Sequence, residues 1–182
     1  MNLRSIPLVL LALILPSCGL LPKSHTDSPS EIKRSNHTLQ ELCDFPKQFY
    51  ATKFHAESLR VGVIATKPLT EKIGTGNGCD YHTADDSDYL GYIFLDAPPA
   101  VTPSATAGAG TPRTLMVDDV SVTDTPQTQQ ALPPFTTAPT QYALLSATID
   151  GWRGEFELLG RDEQTIQAGA ETLVHMIRAL KN

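Results

Sequence analysis

Apolar and polar positions divide this chain into stretches of different period. Near the start, Ile6 to Leu15 (IPLVLLALIL) is a ten-residue, mostly aliphatic run preceded by one basic residue, Arg4. From Gly19 to His37 the pattern is polar and lacks an apolar period, which predicts a flexible tether over residues 18–37. Between Thr38 and Phe54, helical intervals separate Leu39, Leu42, Cys43, Phe49 and Tyr50, and Thr38 with Glu41 has capping-box spacing. Pro46 interrupts this run. The spacing therefore predicts a short turn and then a helix starting near Phe45, with Asp44 as its cap and Pro46 in its first turn.

Strand-like alternation follows. Leu59 to Ala65 (LRVGVIA) places Leu59, Val61 and Val63 on one face, and Asp88 to Leu95 (DYLGYIFL) is aromatic and β-rich enough for a central strand. Between them GTGNG, residues 74–78, leads into a short strand from Cys79 to His82, with Asn77-Gly78 suited to a tight turn. Residues 97–140 hold eight of the fourteen prolines and ten threonines. That composition buries too little apolar area to offset ordering entropy, so a largely mobile insertion is expected. Thr114 to Val122 (TLMVDDVSV) is the island able to pair as a strand. One domain over residues 38–182 is the simpler organisation, and two subdomains are the alternative.

The plainest local pattern is a hairpin, Tyr142 to Ile149 and Trp152 to Leu159, joined by Asp150-Gly151. Trp152, Gly154, Phe156 and Leu158 alternate with Arg153, Glu155 and Glu157, so one face of the sheet meets water. Asp162 to Lys181 is a helix by period: Ile166, Ala170, Leu173, Val174, Ile177 and Leu180 form one stripe, with acids in the first turn and Arg178 and Lys181 near the end. The fold expected is α+β, a mainly antiparallel sheet with helices packed on one face as a two-layer sandwich. About 120 residues are enough for one such core.

The leading apolar run reaches only about 15 Å as a helix, roughly half the hydrocarbon thickness of a bilayer. It ends in Leu15-Pro16-Ser17-Cys18, which resembles a bacterial lipoprotein signal. The resemblance implies a leader, residues 1–17, removed before Cys18, whose thiol would carry diacylglycerol and anchor the protein to the extracytoplasmic face of a cell membrane. An ordinary secretory leader is the alternative, and it too would deliver the chain outside the cytoplasm. Loss of Arg4 with the leader leaves 13 basic against 20 acidic side chains, a charge of −7. This balance argues against nucleic acid and gives no attraction to anionic headgroups, which leaves the lipid as the attachment.

With Cys18 assigned to lipid, Cys43 and Cys79 remain in a compartment where disulfides persist. A structural bridge closing a 37-residue loop would stabilise by roughly 3 to 4 kcal/mol. Metal binding is the sharper alternative, but no Cys or His partner stands at ligand spacing. Asp85, Asp86 and Asp88 could offer oxygens to calcium; their spacing is wrong for an EF-hand loop, and a solvated turn is the plainer reading. GTGNG lacks the Lys and Ser/Thr of a phosphate loop. His82 lies near these aspartates, yet no nucleophile stands in a recognisable setting, so no catalytic residue, metal or cofactor is assigned and an enzyme is not expected. His175 falls on the polar side of the last helix. Trp152, with Tyr89, Tyr92 and Phe94, is read as core in preference to a ligand platform or pocket lining.

Cys18, Cys43 in ELCDF, Cys79 and Tyr81 in GCDY, the late hairpin and the terminal helix together resemble a family of small actinobacterial cell-envelope lipoproteins classed as domains of unknown function. Tyr81 stands where that family has tryptophan, and the Pro/Thr insertion is unusual for it. The resemblance implies an extracytoplasmic location and a disulfide. The function expected is non-enzymatic binding to an envelope protein or other envelope component; the alternative is carriage of a small apolar ligand or lipid between sheet and helices.

Overall fold

The computed structural model describes residues 33–56, 58–64, 67–86, 88–98, 110–129 and 140–182. The leader, Cys18 and the tether up to residue 32 lie outside them, as do residues 99–109 and 130–139 of the proline- and threonine-rich segment. The described chain runs α1 (Leu39–Asp44), α2 (Lys47–Phe54), β1 (Leu59–Val63), β2 (Gly78–Thr83), β3 (Tyr89–Asp96), β4 (Arg113–Val117), β5 (Val120–Gln129), β6 (Thr140–Ile149), β7 (Trp152–Leu159) and α3 (Glu163–Leu180). The strands form one antiparallel sheet in the order β1-β2-β3-β7-β6-β5-β4.

Helices pack on one face of this sheet, giving the α+β sandwich expected. The inner face is set by alternation: Cys79 pairs with Ile93, Ile93 with Phe156, and Phe156 with Leu145, so one apolar row crosses four strands. Against it lie Phe49 and Tyr50 of α2, with Tyr50 stacked 4.7 Å from Tyr81 and Phe49 5.1 Å from Phe156. The Ile166 to Leu180 stripe of α3 is buried, as is Trp152. The Cys43–Cys79 disulfide ties α1 to β2. The β6–β7 hairpin turns at Asp150-Gly151 with φ of 51° and 81°, the positive pair that an Asp-Gly step supplies at least strain.

Five expectations change. Residues 39–44 form helix α1 where a turn was expected, because the Thr38–Glu41 capping box starts a helix before Pro46 can stop it: the Thr38 N–H donates to Glu41 Oε2 at 2.7 Å and the Glu41 N–H to Thr38 Oγ1 at 3.4 Å. Pro46, not Asp44, then stands at the N-cap position of α2, with no side-chain capping bond; Asp44 accepts from Gln40 at 2.9 Å and pairs with Lys47 at 2.5 Å. The domain also begins before Thr38. Ser35 is buried, its hydroxyl donating to the Leu180 carbonyl at 2.5 Å, and the Asn36 N–H reaches Asn182 O at 2.8 Å, which satisfies carbonyls that the end of α3 leaves open.

The tight turn expected at Asn77-Gly78 falls earlier. Asn77 is buried and its carbonyl accepts from the Leu95 N–H at 3.1 Å, so Gly78 already belongs to β2 and the positive φ, 66°, is at Gly76. Last, the single strand expected at Thr114–Val122 is a hairpin, β4 and β5, turning at Asp118-Asp119, and β5 continues to Gln129 through Pro126. The Pro126 carbonyl accepts from Gly110 at 2.7 Å on the side away from β6. The ring nitrogen points the same way, so no hydrogen bond to β6 is lost.

Candidate functional site

The outer face of the sheet carries the side chains that alternate with the core. Asp80 and His82 come from β2, Tyr92 and Phe94 from β3, Glu155 and Glu157 from β7, Tyr142 from β6 and Gln127 from β5. Strict alternation would turn Tyr89 inward, opposite Tyr92. A bulge prevents this: the β2–β3 register shifts between Tyr81 and His82, so that Tyr89 pairs with His82 and shares its outer face while Leu90 is buried. Gly91 permits the shift. Its φ is 137°, and a Cβ there would lie 1.9 Å from the Glu157 carbonyl oxygen, so only glycine lets β3 approach β7 at this point.

Tyr89, Tyr92 and Phe94 are thus not core residues, contrary to the sequence reading; Leu90, Ile93 and Leu95 hold that place. Tyr92 and Phe94 meet edge to face with centroids 5.2 Å apart on the outer face. Trp152 is fully buried, as expected.

At the β2 end of this face His82, Tyr89, Gln127, Thr128, Gln129, Tyr142 and Glu157 line a cleft of about 490 Å³. The ring centroids of Tyr89 and Tyr142 are 5.8 Å apart, inclined at 54°, and His82 sits edge-on to Tyr89 at 5.3 Å. The Tyr89 hydroxyl donates to Glu157 Oε1 at 3.0 Å. Partial burial pushes the Glu157 carboxyl above the usual range; the Tyr89 hydrogen bond works against this, and the Glu155 charge adds to it. Burial first and the Glu157 charge next raise the Tyr89 and Tyr142 phenols, so both stay neutral at physiological pH.

His82 is held between carboxylates, Nε2 lying 3.1 Å from Asp80 Oδ2 and Nδ1 3.2 Å from Asp86 Oδ1, and Asp86 in turn pairs with Arg60. The structure therefore brings His82 together with Asp86, while Asp85 and Asp88 take part in the β2–β3 turn. Thr83 Oγ1 donates to Asp85 at 2.7 Å and accepts from the Asp88 N–H at 3.0 Å, interactions that close the β2–β3 turn. Among the described residues no group of three or more His, Cys, Asp or Glu is arranged to hold a metal ion. His175 is exposed in a groove of about 370 Å³ between α2 and α3, well separated in the fold from His82.

Sequence reasoning named His82 and Tyr89 but missed Glu157, Tyr142, Gln127, Thr128 and Gln129. The hairpin already placed Glu157 outward, and Gly91 inside an aromatic strand was the available sign of a bulge. Chemically, the cleft offers ring faces, one half-buried carboxylate and amide groups, a set that holds and orients a ligand. No protein family, curated protein or solved structure compared with this chain matches it.

Proposed function

We propose that this chain is a lipid-anchored, extracytoplasmic binding module that offers the outer face of its sheet to a component of the cell envelope. The cleft between His82, Tyr89, Tyr142 and Glu157 carries this reading: a sheet face left to solvent needs neither clustered aromatic rings nor a half-buried carboxylate, whereas a recognition surface uses both. The Cys18 motif supports attachment at a membrane. Between sheet and helices, Trp152, Tyr50, Tyr81 and Phe156 are fully buried, with Tyr50 in contact with both Tyr81 and Phe156, which favours the outer face over the inner layer as the place for a ligand.

Photo-crosslinking in intact cells tests the proposal. The full chain carrying a benzophenone amino acid at Thr128, in the cleft, is compared with one carrying it at Gln48, beside α3. Adducts from position 128 that are absent from position 48 are expected; equal adducts at both, or adducts at 48 alone, would remove the outer face from consideration.

A further inference from the structure

The cleft's charge is unbalanced. Glu157 meets tyrosine on three sides, Tyr89 through a 3.0 Å hydrogen bond, Tyr92 as its β3 pairing partner and Tyr142 across the cleft. Among the described residues no Lys, Arg or His forms an ion pair with it. The cations near this end are otherwise engaged: Arg60 with Asp86, and His82 with Asp80 and Asp86. The surrounding field is acidic, as is the chain, with a net charge of −6. An anion would be repelled here, and a neutral ligand would leave the carboxylate as costly as before. A divalent metal would find one carboxylate among phenols and amides, too few oxygens of the charge it needs.

We propose, resting on the reading of the outer face as a binding surface, that this cleft takes a small organic cation, an alkylammonium group seated against the Tyr89 and Tyr142 rings with its charge toward the Glu157 carboxylate. Ring faces attract such a cation through their quadrupoles, most strongly where water is partly excluded, and the carboxylate supplies the counter-charge. Gln127 and Gln129 present amides that can accept from the hydroxyl or N–H groups such ligands carry. The volume, about 490 Å³, lies within the range of small-ligand sites, about 300–1,000 Å³.

The test is a titration of the full chain in maltoside micelles, which contain no ammonium group, followed by NMR of the tyrosine rings. The probes are choline and 3,3-dimethyl-1-butanol, an uncharged analogue of nearly the same shape. Choline is expected to move the Tyr89 and Tyr142 signals saturably and to leave the buried Tyr81 unmoved, with the uncharged analogue about tenfold weaker or worse. Glu157→Gln, which keeps the shape and an acceptor for Tyr89, should weaken choline about tenfold and abolish the preference for charge while the protein melts no lower than the parent. Tyr142→Leu is the second variant, expected to weaken choline while leaving the Glu157 to Tyr89 contact in place.

Equal affinity for the two probes, choline binding that ignores both substitutions, or no saturable shift would overturn the cation assignment. If a neutral disaccharide such as trehalose instead moves the same rings, the cleft is a binding site for another class and the broader reading stands. If nothing moves them and position 128 yields no selective adduct, both fall.

Discussion

Asp124 is wholly buried, and two arginines hold it. Arg161 donates to both of its oxygens, at 2.5 and 3.0 Å, and Arg113 Nε to Oδ2 at 2.8 Å; Arg113 then spans to Glu163 with bonds of 2.8 and 2.9 Å. One carboxylate thus joins β5 to β4, to the lead-in of α3 and, through Arg113, to its first turn. Removing one partner of a buried pair leaves the others desolvated and uncompensated. Asp124→Asn should lower stability by about 3 kcal/mol, a fall in melting temperature of about 6–12 °C. Asp118→Asn, whose partner Arg178 lies at the surface, should cost less than about 1 kcal/mol. Thermal melts of the two variants side by side check the pair; similar losses would mean that Asp124 is better hydrated than its burial implies. The cluster was hidden in the sequence because Val120, Val122 and Asp124 share a period of two with the core. A carboxylate at a core position looks the same as one in a polar tract until its arginines arrive from far along the chain, 11 and 37 residues away.

At the scale of elements, what was legible divides by range. The β6–β7 hairpin and α3 were readable because their signals are local: an Asp-Gly turn, strict alternation, and an apolar stripe with a cap, Asp162, accepting from Thr165 N–H at 2.9 Å. The β4–β5 hairpin was half seen, since its turn at Asp118-Asp119 needs a positive φ of 53° at an aspartate that no glycine announces. The cleft was least legible, because it depends on one bulge that moves Tyr89 across the sheet and on residues from five strands. Sequence did place the Cys43–Cys79 bridge, with Cα atoms 5.5 Å apart, and its effect should be local. It fastens α1 and β2, near the β1 edge, while β6, β7 and α3 lie further across the same core. Replacing both cysteines by alanine should cost about 3–4 kcal/mol. In native-state hydrogen exchange the loss of protection should centre on α1, β1 and β2, with β6, β7 and α3 keeping most of theirs. Uniform loss across all strands would show that the sheet opens as one unit.

For the whole molecule, the first described residues and the candidate cleft occupy separate places on the folded domain. Residues 33–36 lie against the end of α3 through Ser35 and Asn36, while the candidate cleft is on the outer face among β2, β3, β5, β6 and β7. Fourteen residues lie between Cys18 and Lys33, so the two are at most about 50 Å apart along the chain. No described helix is long and apolar enough to cross a membrane, and the acidic surface draws the protein to no anionic leaflet. If lipid at Cys18 is the attachment, binding depends on acyl burial at about 0.8 kcal/mol per methylene and hardly on salt. The protein should then resist a molar-salt wash, leave the membrane with detergent, and incorporate labelled palmitate that Cys18→Ser does not. Mass spectrometry of the mature N-terminus should find Cys18 first, carrying diacylglycerol. A mature chain beginning elsewhere, with Cys18 absent or as a free thiol, would replace the anchor by simple secretion. If lipid at Cys18 does no more than tether the domain, delipidated and lipidated forms should bind the cleft's ligand with equal affinity at the bench, and the lipid would act only by concentrating the domain near the membrane.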